Sequence, residues 1–252
     1  MLLTMRTFCS YAVLLCFGPM LGLLSCTNES EIVDMEDVNY FPVRPGASWV
    51  YKVDSIWVDC LADRFDTASF QIKEEMEAWV KGANGDSLMR IARYLRADSN
   101  SPWGAPRIWT ARRNNLQAIR TEENRALVKL TFPIELEKTW DGHAYLAEPT
   151  QEWQYQEVDE PFDSLSRTLL VVQQSEENLL EKKLFTERYA FSIGLVHAIK
   201  IDVLGIVTDP GDPNDCAEYL PPSVPWSSLP ILERVKFGYL YEMQLLSFDS
   251  GL

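Results

Sequence analysis

From residue 48 onward the chain alternates apolar and polar positions, segment after segment. Between Ser48 and Val58, Trp49, Tyr51, Val53 and Trp57 share one face, while Lys52 and Asp54 take the other. Period two is the signature of a strand with one buried face. Phe70, Ile72 and Met76 alternate with Gln71, Lys73 and Glu75 before Gly82-Ala83-Asn84-Gly85-Asp86, and Leu88–Arg96 returns as the second arm of a hairpin. Asn-Gly accepts the positive φ angles that tight hairpins need. Arg107–Ala111 and Leu116–Thr121 flank Arg113-Asn114-Asn115, and Ala126–Phe132 runs up to Pro133, which cannot donate to a ladder. Trp153, Tyr155, Thr168–Gln173, Leu195–Val203 and Phe237–Phe248 continue the pattern. Only Glu176–Ala190 is ambiguous. Leu180 and Leu184 have helical spacing, but strand-like flanks and a turn at Glu176-Glu177-Asn178 favour another hairpin. Gly205–Leu232 carries six prolines and reads as a long loop.

Many strands with no regular intervening helices predict a mainly β protein. The arrangements open to it are a curved antiparallel sheet, an open half-barrel or a sandwich. One echo runs through the pattern. Phe41-Pro42-Val43 precedes Trp49, and Phe132-Pro133-Ile134 precedes Trp140, with tryptophan eight positions after phenylalanine in both. The spacing suggests two related half-sheets.

The first 25 residues break the pattern. One basic residue, Arg6, precedes an apolar run from Phe8 to Leu24, ending in Leu23-Leu24-Ser25-Cys26. A charged start, an apolar middle and a small residue at the cut have the grammar of a signal peptide. Leu23 and Ser25 before Cys26 resemble the site at which bacterial lipoproteins are cleaved and acylated. Residues 1–25 are therefore expected to be removed and Cys26 to carry lipid. Two or more acyl chains give stable anchoring, at about 0.8 kcal/mol per buried methylene. The acidic stretch 26–39 reads as a flexible tether, and 40–252 as one antiparallel β domain. The expected address is the cell envelope, as an outer-membrane lipoprotein on the periplasmic face or the cell surface.

Charge narrows the partners. A formal net charge of −14 disfavours nucleic acid, which needs a basic patch. The bilayer would be met through lipid rather than through protein charge. Of the five cysteines, Cys9 and Cys16 fall in the leader and Cys26 at the anchor, leaving Cys60 and Cys216 as a candidate disulfide.

With the opening Phe41-Pro42-Val43-Arg44-Pro45-Gly46-Ala47-Ser48-Trp49-Val50-Tyr51 in view, the chain resembles a family of uncharacterised Bacteroidetes-type lipoproteins. The later segment from Glu187 to Val196, with Tyr189-Ala190 and Gly194-Leu195-Val196, is similar to that family's Tyr-Ala and Gly-Leu-Val motif. The resemblance implies a curved antiparallel sheet and an envelope home. It implies no substrate.

Candidate chemistry is sparse. The chain has no Gly-x-Ser-x-Gly motif and two histidines, His143 and His197. His197 shares a face with Leu195, Ile199 and Ile201 and reads as packed, whereas His143 lies in a loop. Neither has metal-ligand spacing around it, and no cofactor is implied. Acid pairs such as Glu122 and Glu123 are unavoidable among 37 acidic residues. Asp209, Asp212, Asn214, Asp215 and Glu218 cluster oxygen ligands suited to calcium, but not at EF-hand spacing, so an acidic loop is the simpler reading. Trp103, between Pro102 and Gly104, is the best placed of eight tryptophans to stack on a sugar. The leading expectation is a non-enzymatic binding or assembly module for an unidentified small molecule or protein. A surface glycan hydrolase or sugar-binding protein, and a structural surface component, are the alternatives. An apolar hollow inside the sheet would favour ligand carriage; a filled core would favour a protein partner.

Overall fold

The computed structural model describes residues 36–207, 216, 220 and 225–251. The leader, Cys26 and all five oxygen-ligand residues of the candidate calcium loop lie outside the described residues. Among the described residues there are twelve strands: β1 (Ser48–Asp59), β2 (Arg64–Lys81), β3 (Ser87–Arg96), β4 (Arg107–Arg113), β5 (Gln117–Glu122) and β6 (Arg125–Thr131). They continue with β7 (Thr139–Asp141), β8 (Glu152–Phe162), β9 (Leu165–Glu177), β10 (Glu181–Ala190), β11 (Gly194–Gly205) and β12 (Val235–Asp249).

Each strand pairs antiparallel with its neighbour in sequence, β6 and β7 excepted, and β12 returns to pair with β1. The curved sheet is thus the arrangement adopted. It is nearly closed into a barrel, with one unsealed seam between β6 and β7. At that seam the contacts are the Val128 amide on the Gly142 carbonyl (3.0 Å) and the Trp140 indole N–H on the Val128 carbonyl (2.8 Å). The ambiguous segment is strand β10, and its turn is closed by Asn178, whose Oδ1 accepts from the amides of Leu180 and Glu181.

The two Phe-Pro echoes stand at matching places. Each leads into the first strand of a six-strand run, β1 and β7. Both phenylalanines are buried, and both tryptophans donate their indole N–H to a backbone carbonyl.

One end of the barrel is filled. Asp37–Tyr40 form a 3-10 turn, so the segment read as a tether ends in ordered structure, with Val38 and Tyr40 sunk into the core. Arg113 donates to the carbonyls of Val38 and Phe41, and the Tyr40 hydroxyl to Asp159. Around this plug sit Trp49, Tyr51, Tyr155 and Tyr189, each nearly or wholly buried. Their polar atoms are satisfied: Trp49 donates to the Ile193 carbonyl (2.7 Å) and Tyr51 to that of Leu195 (3.0 Å). Buried polar groups without such partners would be costly.

The outer wall is polar along its centre. Lys52 pairs laterally with Gln71 and Gln244, and Asp54 with Glu242. Cys60 and Cys216 are joined in a disulfide (Cα–Cα 6.2 Å) within a small separate cluster containing Ile206 and Leu220. Beside it the buried Arg234 donates to the carbonyls of Ile206, Leu179 and Leu229, fastening the base of the Pro-rich connection. Gly238 of β12 lies opposite Val203 of β11. Its φ is +128°, and a Cβ there would lie 2.1 Å from the Asp202 carbonyl oxygen.

Candidate functional site

The strand register builds the barrel interior in layers. One row runs Phe70, Val53, Met243, Ala198, Glu187 and Val171 across β2, β1, β12, β11, β10 and β9. The next row toward the open end is Ala68, Ser55, Tyr241, Lys200 and Phe185. Beyond it come Asp66, Trp57, Tyr239 and Asp202. Small residues at Ala68 and Ser55 leave room, and the filled core gives way to a hollow.

That hollow has two lobes. One, of about 530 Å³, is lined by Trp57, Tyr239, Tyr241, Arg93 and Lys200. The other, of about 310 Å³, is lined by Glu122, Lys129, Trp153, Phe185, Lys200 and Tyr239, with His143 at its side. Lys200 and Tyr239 belong to both. Such volumes fall in the range of small-molecule pockets, and the larger lobe opens broadly to solvent. At the rim Trp57 lies parallel to Tyr239 and edge-on to Phe237. Trp57, Leu204 and Phe237 are between 41% and 44% exposed, an apolar collar open to solvent.

Below the hollow, a chain of buried charges crosses the barrel. Arg93 and Arg120 both meet the Glu74 carboxylate (2.6 and 2.5 Å). Arg120 also approaches Glu122 (3.4 Å), Lys129 bridges Glu122 (3.1 Å) and Glu187 (2.7 Å), and Tyr189 donates to Glu187 (2.5 Å). The braces reach from β6 to β10, across the seam. The Trp109 ring lies under both Arg93 and Arg120.

Burial alone would raise the Glu122 carboxyl, but Lys129 and Arg120 outweigh it and hold it at about 2. Glu187 is likewise lowered, by Lys129 against its own burial. Lys129 is raised, its desolvation overcome by Glu122 and Glu187. Lys200 moves the other way: burial and the neighbouring Lys129 ammonium push it down. Among the described residues no carboxylate stands within ion-pair distance of Lys200, whose contact is the Tyr241 ring at 5.9 Å.

The residues singled out from sequence fall elsewhere. Trp103 sits outside the barrel, half-buried, with the Arg96 guanidinium 4.1 Å from its ring centre. His197 faces outward against Phe162 and pairs with Glu242 (2.8 Å). The apolar residues that share its face, Ile199 and Ile201, lie beside Leu240 and Ile56 on the outer surface, so the inner face of β11 is Ala198 and Lys200. Glu122 is a brace, while Glu123 turns the β5–β6 hairpin with φ +47° and meets Arg107. The buried braces left a trace in the alternation: Glu74 falls on the face of Ile72 and Met76, and Glu187 on that of Phe185 and Tyr189. A charge on an apolar face must find a partner or a cavity. No family model, curated protein or solved structure matches the chain, so the site rests on its own residues.

Proposed function

We propose that the protein is a lipid-anchored binding module of the cell envelope, which takes a small ligand into the open end of its barrel. The carrying observation is the two-lobed hollow beneath Trp57, Tyr239 and Tyr241. The larger lobe is walled by aromatic side chains and the smaller one by convergent polar and charged groups, the two kinds of lining a ligand site combines. The leader and Cys26 support the anchor, as does the kinship suggested by the Phe-Pro opening. The charged outer wall supports lipid, rather than the barrel itself, as the hold on the membrane, because membrane-spanning barrels turn apolar residues outward.

A glycan hydrolase is the less favoured reading. Acid–base cleavage needs two carboxyls driven to different pKa values. The two cavity-side carboxyls whose titration is displaced, Glu122 and Glu187, both move down and are both tied to Lys129.

The hollow is tested with N-phenyl-1-naphthylamine, an uncharged dye that brightens in apolar sites. Saturable brightening by the folded protein, weakened by Trp57→Arg, is expected; a dye that stays dark rejects the reading. The anchor is tested by Cys26→Ala, which should move the protein from the membrane to the soluble fraction. Unchanged membrane retention would sink it.

A further inference from the structure

We propose that the ligand is an amphiphile with a single negative charge, a long-chain carboxylate, bound head-inward so that its carboxylate meets Lys200 and its tail leaves past Trp57 and Phe237. This rests on the hollow being a ligand site, as inferred above. Three features specify the class.

The first is the charge left over. Glu74, Glu122 and Glu187 are each engaged with Arg93, Arg120 or Lys129. Of the other cations lining the hollow, Arg93 and Lys129 belong to that chain and Arg125 pairs with Glu148 (2.6 Å), so among the described residues Lys200 is the lining cation with no carboxylate at ion-pair distance, and it lines both lobes. Burial and Lys129 disfavour its charged form. An incoming anion would restore that charge, since a charge-assisted hydrogen bond in a low-dielectric site is strong. The second is the number of charges. With one unpaired ammonium, and Glu122 lining the same lobe, a monoanion is matched, whereas a dianion would carry an uncompensated charge toward that carboxylate. The third is the gradient of the walls. Beside Lys200 the register places Tyr241, and above them Tyr239 and Trp57, then Leu204 and Phe237, an aromatic and apolar path from the cation to solvent. Arg93, which also lines the outer lobe, is already held by Glu74 (2.6 Å). Asp66 lines the outer lobe and Asp202 shares its row, so the rim is unsuited to an anionic head and the floor is its place.

The test uses displacement of N-phenyl-1-naphthylamine from the full domain by dodecanoate and by 1-dodecanol, which share a tail. Dodecanoate should displace the dye at concentrations on the order of tenfold lower, the scale of one charged hydrogen bond. Lys200→Met should erase that preference and leave dodecanol unchanged, while Lys200→Arg should keep it. Should Lys200→Met fail to fold, the wild-type protein suffices: the carboxyl resonance of [1-¹³C]dodecanoate should shift on binding. Equal displacement by acid and alcohol, a preference that survives Lys200→Met, or a bound carboxyl resonance at its free position would each overturn the proposal while leaving the hollow as a neutral binding site. Failure of the dye itself to bind would instead defeat the functional reading on which it stands.

Discussion

The two ends of the barrel are built from the same strands and differ in what fills them. At the closed end, Trp49 and Tyr51 of β1 line, with Phe41, Met76 and Tyr189, a space of only about 30 Å³, room for a water molecule. At the open end, Trp57 of the same strand and same face looks across a lobe of about 530 Å³. Strand geometry is alike at both. The difference lies in an extra segment of chain that plugs one end, and in small or charged residues where the other would need bulk. A barrel's interior is therefore decided by its connections as much as by its walls.

Substitutions at equivalent aromatic positions separate the ends. Trp49→Ala should lower stability by about 3–5 kcal/mol, as for a large aromatic removed from a packed core, read from guanidinium unfolding. Dye binding by the folded fraction should persist; its loss would mean the two ends are not independent. Close behind comes Glu187→Ala, which leaves Lys129 buried with one partner fewer and should destabilise by about 3 kcal/mol or more. Replacing the pair together, Glu187→Leu with Lys129→Met, should recover much of that loss. If the double variant is as weak as the single one, the brace is positioned for more than charge compensation.

Opening the Cys60–Cys216 bridge with reductant should cost about 2–4 kcal/mol. Because that bridge has its own small cluster, the dye affinity of the folded protein should not move; a parallel loss would tie the Pro-rich connection to the mouth. Acid provides a further probe. Glu122 sits at about 2, below its ordinary 4.5, and Glu187 is lowered as well. Depressed carboxyls stabilise the fold above their unfolded values and lose that contribution as pH falls through the folded ones. The unfolding midpoint should thus be level above about pH 5 on account of these groups and drop between about 4.5 and 2. Glu122→Gln should flatten that drop. The smallest change in stability is expected from Trp57→Ala, under about 1 kcal/mol, since the ring is 41% exposed. Its effect should fall on dye affinity instead, the reverse of Trp49→Ala.

Trp49 and Trp57 also mark how far sequence reading carries. Alternation placed both on one face, and the mainly β, antiparallel character follows from such patterns, hairpin turns and prolines, while the choice of one curved sheet over a sandwich does not. Alternation records which side a residue faces and not whether anything meets it there, so a packed core and a hollow look alike along the chain. The same limit hid Lys200. The larger apolar residues of β11, Ile199 and Ile201, pointed to the wrong inner face because they pack sideways with Ile56 and Leu240 on the outside. Glu74 and Glu187 stand as charges on apolar faces; Arg93 meets Glu74 across the adjacent strand, but Arg120 and Lys129 come from strands distant in sequence, and only the curvature of the sheet brings Lys129 to Glu187.

The ring's gap lies at mid-chain, between β6 and β7, whereas its first and last strands are zipped together. During vectorial synthesis every other strand finds a neighbour within one hairpin of its own making, but β1 must wait for the final residues, Val235–Asp249, to gain its second flank. Until then β1 remains a bare hydrogen-bonding edge. A ribosome that stalls, or a protease that trims the tail, would leave that edge exposed, and the last strand acts as the clasp on which the whole assembly depends.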